Sequence, residues 1–322
     1  MTSYTVRPLS PEDAERVDKA FGVKGAMLEF NPGKCLLPPY HVKFAQQIID
    51  APIREDDIWL ISFPRTGSTW CQEMIWLIGN DLDFDGARST IQQIRAPLIE
   101  MSTVLIEIDS LGKELLENSV ELINNLPSPR YIKSHLPLSL LPTELDKVKP
   151  KIIYTCRNPK DMCVSYYHHC KMFHRLQLTF EEFSDHLMRG LTPLGPVFSH
   201  YLSFWNKRHE TNILFLKYED MKRDLRGTLK KIADFMEKSL SEEDIDKLCE
   251  FLSFQNMREN KGCNFEGVLE QKHGKDFFKR VGDHFIRKGQ VGDWKNYMSP
   301  ELSKRFDDWI EENTKGTGLT FD

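Results

Sequence analysis

The segment from Ile58 to Gly79, IWLISFPRTGSTWCQEMIWLIG, constrains the fold more than any other part of the sequence. It begins as a continuous apolar run, which is typical of a buried strand, and it ends with apolar residues at helical spacing. The loop between these two elements carries one Arg, one Gly and three hydroxyl side chains. Backbone N–H groups at a helix N-terminus are unpaired and bind anions. We therefore predict a phosphate-binding loop, although the Gly-x4-Gly-Lys-Ser/Thr pattern of nucleotide triphosphatases is missing.

The remaining sequence alternates between strand-like and helix-like segments. We predict further strands at 130–135, 151–156 and 212–218, after a first strand at 57–63. Helices are predicted at 68–79, with Gly79 as its C-terminal cap, at 159–173, and after the N-cap residue Ser241. This alternation indicates an α/β domain whose parallel sheet is covered by helices on both faces. We expect one domain overall, in which an extension at 1–56, with turns at NPGKCLLPPYH, packs on a main domain at 57–322.

Composition excludes several classes of protein. The chain has 322 residues and a net charge of -5, whereas proteins that bind nucleic acid usually carry a basic excess. Seven cysteines without a repeating spacing indicate reduced thiols rather than a secreted disulfide scaffold. The polar N-terminus does not resemble a signal peptide, and we find no apolar run of the roughly 18 residues that suggest a membrane span. We expect a cytoplasmic protein that binds neither nucleic acid nor a membrane.

Three further stretches carry side chains that bind anions or move protons. Lys133 and His135 point to the same side of a predicted strand, near its carboxyl end, where ligands gather in parallel sheets. Arg157 follows another strand, and Ser165 lies two helical turns further on. The run Arg287–Gly289 places two cations beside a flexible backbone. Each stretch alone is also typical of a solvent-exposed turn or strand end, but together they indicate a ligand with more than one anionic group.

The motifs FPRTGSTW, KSHLP, RNPKDMCVSYYHH, LKYEDM and RKGQVGDW occur in the same order as in the cytosolic sulfotransferases, which this sequence resembles over about residues 57–298. The lengthened N-terminus and the Arg of the first motif are similar to an insect-type branch. The resemblance implies a single α/β domain with a parallel sheet of about five strands. It also implies transfer of the sulfuryl group of 3'-phosphoadenosine 5'-phosphosulfate (PAPS) to the hydroxyl of a small phenol or alcohol, leaving PAP.

The resemblance also assigns roles to residues of this sequence. His135 would be the general base, while Lys133 and Arg65 would stabilise charge on the transferring group. The 5'-phosphosulfate would be bound by Arg65, Thr66, Gly67, Ser68 and Thr69. The 3'-phosphate would be bound by Arg157, Ser165, Arg287, Lys288 and Gly289. The adenosine would be bound by Trp70, Tyr218, Ser253, Phe254 and Met257.

Several positions depart from the family pattern or lie where it varies. Arg65 stands where a Lys is usual, and an Arg does not donate a proton readily, so its role would be electrostatic. Leu252 replaces a hydroxyl residue of the adenine pocket, and Ser299-Pro300 stand near the usual dimerisation motif, so a homodimer is possible without that motif. Candidates for the acceptor pocket are Phe84, His169, Phe173 and the segment 85–110. The glycine-punctuated stretch 261–294 is predicted to be a long loop that closes over a ligand.

Four alternatives remain open from the sequence. A retinol dehydratase-like enzyme would share the cofactor chemistry but differ in acceptor and product. A non-catalytic binding protein for PAPS or another small molecule would result if Arg65 abolished transfer. A kinase or nucleotide triphosphatase is opposed by the missing Gly-Lys-Ser/Thr pattern. A metal site at His168, His169 and His174 is opposed by a spacing that lacks an i, i+4 pair, and the family resemblance implies no metal.

Overall fold

The computed structural model describes residues 4–104 and 117–321. Its main sheet is parallel, with strand order β5-β4-β6-β7. Antiparallel strands form a second, smaller sheet in the order β1-β2-β3. The strands are β1 (Thr5–Arg7), β2 (Leu28–Asn31), β3 (Cys35–Leu37), β4 (Ile58–Ser62), β5 (Tyr131–Ser134), β6 (Lys151–Cys156) and β7 (Ile213–Lys217).

The parallel α/β architecture of the prediction is confirmed, but the predicted count of about five strands is one too many for the part that the structure describes. A single parallel bridge between Leu98 and Lys133 extends the sheet beyond β5 without forming a further strand. The four strands of the main sheet end at Ser62, Ser134, Cys156 and Lys217, on one edge. Residues that follow them are therefore brought together, as in other open parallel sheets.

The α-helices surround both sheets and connect their strands. In chain order they are α1 (Pro11–Phe21), α2 (Val42–Ile49), α3 (Ser68–Gly79), α4 (Phe84–Ser89), α5 (Gln92–Arg95), α6 (Met101–Val104), α7 (Ser119–Asn125), α8 (Leu145–Val148), α9 (Pro159–Phe173), α10 (Phe180–Met188), α11 (Val197–Trp205), α12 (Tyr218–Arg223), α13 (Leu225–Phe235), α14 (Glu242–Phe251), α15 (Phe254–Glu259), α16 (Glu266–His273), α17 (Phe277–Val281) and α18 (Pro300–Thr314). Among these described helices, none combines the length and the apolar character that crossing a bilayer requires.

Alternate residues of the central strand β4 supply two different hydrophobic cores. Trp59 and Ile61 belong to the core on one face, and Ile58 and Leu60 belong to the core on the other. Side chains of a strand point alternately to its two faces, so a strand that is buried on both sides is apolar throughout. This explains why β4 appears in the sequence as a continuous apolar run.

The N-terminal segment is more regular than the predicted turns. Within NPGKCLLPPYH, residues Cys35–Leu37 form the buried strand β3. The backbone of Leu36 donates to Gly195 O at 3.3 Å and accepts from Leu194 N–H at 2.8 Å, which joins this strand to a distant loop. His41 Nδ1 also lies 3.0 Å from Thr103 Oγ1. These contacts attach the segment to the body of the protein.

The predicted ranges of helices α3 and α9 are confirmed, but the predicted C-terminal cap of α3 is wrong. Helices α3 and α9 occupy the predicted ranges, 68–79 and 159–173. However, Gly79 is the last residue of α3, and the cap is Asn80. A Cβ atom at Gly79 would collide with the hydroxyl of Tyr131, so close packing explains the glycine. Ser241 caps α14 as predicted, accepting from Asp244 N–H in a capping box.

The stretch 261–294 is only partly a loop. It contains helices α16 and α17, which were not predicted because the glycines of this stretch indicated a loop. The buried side chains of Leu269, Phe277 and Phe278 fix these short helices against the rest of the protein. Further along, Ser299 accepts from Leu302 N–H and caps α18, with Pro300 in its first turn. The Ser299-Pro300 pair is therefore a helix start.

Candidate active site

One cavity of about 550 Å³ lies at the carboxyl edge of the parallel sheet. Its wall is formed by residues from the β4–α3 loop, the end of β5, helix α9 and the segment 285–290, which precedes a short 3-10 helix at Asp293–Asn296. The residues from the predicted sites that line it are Arg65, Gly67, Ser68, Thr69, Trp70, Lys133, His135, Arg157, Ser165, His169, Phe173, Tyr218, Phe254, Met257, Arg287, Lys288 and Gly289. The structure thus brings the separate motifs together around a single space.

The β4–α3 loop has a backbone shape that only certain residues tolerate. Gly67 has φ +91°, and a Cβ atom there would lie 2.5 Å from Cδ2 of Tyr218. Arg65 also has a positive φ, of +67°. Thr66 turns its hydroxyl away from the cavity, toward Phe63 O at 2.9 Å and Thr155 Oγ1 at 3.1 Å. The Thr66 side chain therefore stabilises the loop. Of the predicted contacts between Thr66 and an anion, only one through its backbone N–H remains.

The Arg65 side chain connects three parts of the site. Its Nε donates to Ser165 Oγ on α9 at 3.0 Å, and its Nη2 donates to Phe285 O at 3.0 Å. Burial, together with the nearby cations Arg157 and Arg287, lowers the pKa of Arg65 to about 10. The guanidinium is therefore still charged at neutral pH, and it joins the β4–α3 loop to α9 and to the segment at Phe285.

The proton on His135 is fixed by its neighbours. Nδ1 of His135 lies 2.8 Å from the carbonyl oxygen of Ser62. A carbonyl can only accept, so Nδ1 carries the proton and Nε2 carries the free lone pair. Burial, with a further contribution from Lys133, lowers the pKa of His135 well below its usual value. The imidazole is therefore neutral at pH 7 and able to accept a proton through Nε2.

Two residues that belong to none of the sequence motifs hold the backbone of His135 from either side. Glu100 Oε1 accepts the backbone N–H of His135 at 2.6 Å. On the other side, Nε2 of His200 lies 3.1 Å from the carbonyl oxygen of His135, while its Nδ1 lies 2.7 Å from the Tyr154 hydroxyl. No motif in the sequence marks Glu100 or His200, because their roles depend on contacts with residues 35 and 65 positions away.

The cations of the predicted 3'-phosphate site lie close together. Arg157 Nη2 donates to Gln290 O at 2.9 Å, and its guanidinium lies 4.3 Å from the ring centre of Tyr218. Arg287 and Lys288 both bond to Asp293, at 2.6 and 2.8 Å. Burial opposes ionisation of Asp293, but hydrogen bonds from Lys288, Asn296 and Arg287 lower its pKa to about 2. Asp293 therefore remains an anion that orients both cations.

Two buried guanidinium nitrogens in this group lack a hydrogen-bond partner among the described residues. Nε of Arg157 and Nε of Arg287 make no hydrogen bond within residues 4–104 and 117–321. Buried polar atoms are nearly always hydrogen-bonded in folded proteins. Both residues line the cavity, so their guanidinium groups place positive charge at its wall, which favours an anionic ligand.

Aromatic side chains form the next part of the wall. Trp70 donates through Nε1 to Leu252 O at 2.9 Å, and its ring meets Tyr218 edge-on at 6.2 Å. Gly289 has φ +61°, and a Cβ atom there would lie 2.5 Å from Cδ2 of Phe254. Ser253 is different, because its side chain caps α15 by accepting from Asn256 N–H and does not line the cavity. The predicted contact between Ser253 and the cofactor therefore stays a prediction.

The other half of the cavity is mostly apolar. His169 and Phe173 line it as predicted, but Phe84 packs on Phe251 in a core and does not reach it. Phe84 is therefore withdrawn as an acceptor-binding residue. Of the predicted segment 85–110, the residues that line the cavity are Gln93, Ala96, Leu98, Glu100, Met101 and Thr103, while 105–110 lie outside the described residues. The sequence reading missed the N-terminal contributors Phe21, Val23, Ala26, Met27, Leu37 and Pro38.

The three histidines considered as a metal site have other surroundings. His168 bonds to Asp283 at 2.6 Å and to the Tyr297 hydroxyl at 3.0 Å. His169 instead packs on Phe173, with ring centres 4.5 Å apart. Across residues 4–104 and 117–321, no group of three or more His, Cys, Asp or Glu side chains is arranged to bind a metal ion.

Comparison with known proteins agrees with this geometry. The Sulfotransferase domain family matches residues 55–318. The luciferin sulfotransferase of Photinus pyralis, an insect, is 36% identical over 87% of this chain and 77% of its own length. A crystal structure of retinol dehydratase in complex with retinol and PAP superposes with a TM-score of 0.89, at 33% identity over 99% of both chains.

A second structure of retinol dehydratase, in complex with androsterone and the inactive cofactor PAP, has a TM-score of 0.84 at 33% identity. It covers 99% of this chain and 98% of that one. The match to a sulfotransferase domain over most of the sequence also rules out the kinase or nucleotide triphosphatase alternative. The chain belongs to the sulfotransferase family.

Proposed function

We propose that this enzyme transfers the sulfuryl group of PAPS to the hydroxyl of a small, largely apolar acceptor, with His135 as the general base. The observation that carries the proposal is the fixed tautomer of His135. Its Nδ1 bonds to Ser62 O, and its neutral Nε2 is left for a hydroxyl proton in the cavity that also receives the β4–α3 loop. Sulfotransferases use PAPS as their donor, and two related structures contain PAP.

The donor is proposed to lie along the charged half of the cavity. The phosphosulfate end would face the backbone of residues 65–69 at the N-terminus of α3, where unpaired N–H groups favour an anion. The 3'-phosphate would occupy the part of the cavity that is lined by Arg157, Ser165, Arg287 and Lys288. Trp70 and Tyr218 supply aromatic surface for adenine. The Arg65–Ser165 bond at 3.0 Å links the two anion sites.

The reaction we propose is a direct displacement. The acceptor oxygen attacks sulfur as its proton passes to Nε2 of His135, so a new O–S bond forms. The bond between sulfur and the bridging oxygen of the phosphosulfate breaks, and its electron pair leaves with PAP. Lys133 and Arg65 stabilise the charge that develops on the sulfuryl group and the bridging oxygen. Catalysis therefore depends on positioning and fixed charge.

A second outcome is favoured by one observation, the likeness to retinol dehydratase over 99% of the chain. An acceptor whose sulfate ester sits next to a double bond can lose sulfate and then a proton, so the net result is loss of water. This variant requires the same donor, base and cations. It differs from simple sulfation only in the fate of the ester, and therefore in the released product.

The location we propose is the cytoplasm. All seven cysteines are unpaired in the structure, and six of them are buried. Free buried thiols are typical of proteins from reducing compartments, whereas secreted proteins usually pair their cysteines.

The experiment that tests the function is transfer of labelled sulfate from PAPS by purified protein, without added metal, to phenols, aliphatic alcohols, steroids and retinol. We expect a labelled ester with at least one apolar alcohol or phenol, and release of labelled inorganic sulfate with retinol if dehydration follows. Tight binding of PAP without transfer to any acceptor would contradict the proposal and favour a non-catalytic binding protein. His135→Ala serves as the inactive control.

A further inference from the structure

Glu100 is a buried carboxylate attached to the end of the strand that carries the proposed catalytic residues. Its side chain is fully buried, and it lines the cavity. Oε1 accepts the backbone N–H of His135 at 2.6 Å, and Oε2 accepts the hydroxyl of Ser134 at 2.9 Å. The Ser134 oxygen in turn accepts from Leu136 N–H at 3.0 Å. One carboxylate therefore fixes Ser134 and His135 at the end of β5 directly, and Leu136 through the Ser134 hydroxyl.

The backbone before Glu100 is also paired with this strand. Ile99 N–H donates to Lys133 O at 2.9 Å, and Lys133 N–H donates to Pro97 O at 2.9 Å. Thr103 Oγ1 donates to Glu100 O at 2.8 Å and closes the following turn. Glu100 is thus held at a defined position relative to Lys133 and His135. A short hydrogen bond to a charged acceptor, as between Glu100 and His135, is stronger than one between neutral groups.

The charges around Glu100 come from several elements. Lys133 on β5 is the cation that interacts with it, burial and the charge of Glu100 raise the pKa of the Cys35 thiol on β3, and the imidazoles of His135 and His200 lie at the strand end. Burial raises the pKa of Glu100 to about 7, although its hydrogen bonds from His135 and Ser134 oppose this shift. Burial lowers the pKa of Lys133 to about 8, and Glu100 opposes that shift.

We propose that Glu100 is a positioning residue for sulfuryl transfer, whose carboxylate fixes the backbone that carries His135 and supplies the anion that keeps Lys133 in its charged form. This inference rests on the proposed function and adds a group that does not itself touch the reacting atoms. Glu100 is the carboxylate whose charge opposes the effect of burial on the Lys133 ammonium group. The active enzyme would then require Glu100 ionised and Lys133 protonated.

The pH dependence of kcat tests this role, because the two groups titrate in opposite senses. As pH falls through about 7, Glu100 becomes protonated and kcat should decline. As pH rises through about 8, Lys133 loses its proton and kcat should decline again. His135 contributes nothing to either change, since its pKa lies well below this range. The profile should therefore be a narrow bell.

The test variant is Glu100→Gln, which keeps the shape and one oxygen acceptor but removes the charge. At saturating PAPS, with an aliphatic alcohol that does not titrate, we expect kcat to fall roughly 10-fold at the optimum. The limb near pH 7 should disappear. The alkaline limb should move to lower pH, because Lys133 without its neighbouring anion releases its proton more readily. The KM for the acceptor and the Kd of PAP should change less than 3-fold.

The matched control is Asp57→Asn, which alters a buried carboxylate at the opposite end of the same strands. Asp57 precedes β4 and bonds to Arg130, which precedes β5. This variant should lose thermal stability while keeping the two limbs of the wild-type profile. If Glu100→Gln shows the same two limbs at unchanged pH, with kcat altered only in proportion to folded protein, the role of Glu100 is merely structural and the proposal is overturned.

Failure of this inference can be distinguished from failure of the proposed function. If wild-type protein transfers no sulfate to any acceptor, the function fails before Glu100 is tested. If wild type is active and Glu100→Gln keeps its profile, only the inference fails. Where Glu100→Gln folds poorly, Glu100→Asp provides a second variant. It keeps the charge but shortens the side chain, so it should retain both limbs near their wild-type pH with reduced kcat.

Discussion

The tautomer of His135 depends on one backbone carbonyl at the end of the neighbouring strand. Ser62 O accepts from Nδ1 at 2.8 Å, so the reactive lone pair lies on Nε2. The pattern KSHLP gave no indication of that contact, because Ser62 is 73 positions away in the sequence. The sequence could predict a histidine near the carboxyl end of a strand, but only the packing of β4 beside β5 shows which nitrogen carries the proton.

Replacing His135 by alanine should separate chemistry from binding. We expect kcat to fall by at least about 10²-fold, which is typical of a lost general base. The Kd of PAP should stay within 2-fold, because the cations proposed for its phosphates come from other residues. Steady-state kinetics and calorimetric titration with PAP are the measurements. A kcat close to that of wild type would show that another group removes the proton.

Replacing Arg157 by alanine should weaken the binding of the cofactor, because a contact with one of its two phosphates is lost. We expect the Kd of PAP to rise about 10- to 100-fold, since hydrogen bonds to charged groups contribute about 1.5–3 kcal/mol each. The affinity for adenosine 5'-monophosphate, which lacks the 3'-phosphate, serves as the internal control and should change little. Equal losses for both nucleotides would place Arg157 at a different part of the cofactor.

At the scale of elements, Gly67 marks a position where the backbone approaches another segment of the chain closely. Gly67 combines a φ of +91° with a side chain 2.5 Å from where its Cβ would lie. Gly67→Ala should therefore distort the β4–α3 loop and raise the Kd of PAP by about 5- to 150-fold, because such strain costs on the order of 1–3 kcal/mol. Binding titration with PAP is the measurement.

A matched variant separates the clash from the backbone strain. Gly316 has a φ of +76°, but a Cβ atom there would meet no described atom within 4 Å. Gly316 likewise has an unfavourable φ and lies outside the cavity wall. Gly316→Ala should therefore lower the free energy of unfolding but leave the Kd of PAP unchanged. If both variants lose PAP affinity equally, the Gly67 effect is not local to the loop.

The elements differ in how well the sequence alone predicted them. β6 and helices α3 and α9 match the predicted ranges, because long apolar or amphipathic runs carry their own signal. The strands β1–β3 were missed because they are only three or four residues long, which is too short for an alternating pattern to stand out in the sequence. Leu37 of β3 lines the cavity, so its contribution to the wall could not be derived from local sequence patterns.

At the scale of the whole molecule, ligand binding and folding should be linked. A ligand that binds only the folded protein stabilises it by about 2.7 kcal/mol at a concentration 100 times its Kd. We expect PAP to raise the thermal unfolding temperature of the wild type, and to raise it much less for Arg157→Ala at the same concentration. Differential scanning fluorimetry measures both. An equal increase in the two proteins would contradict the assignment of Arg157.

The walls of the cavity come from residues as far apart in the sequence as Phe21 and Gln290. Strand β3 is joined to the loop at Leu194 and Gly195, and Arg157 and Arg65 bond to backbone carbonyls of Gln290 and Phe285. The ribosome synthesises these parts in order. When the β4–α3 loop has been made, more than two hundred residues must still be added before the cavity wall is complete. During synthesis, therefore, cofactor cannot assist folding until the last part of the cavity wall has emerged.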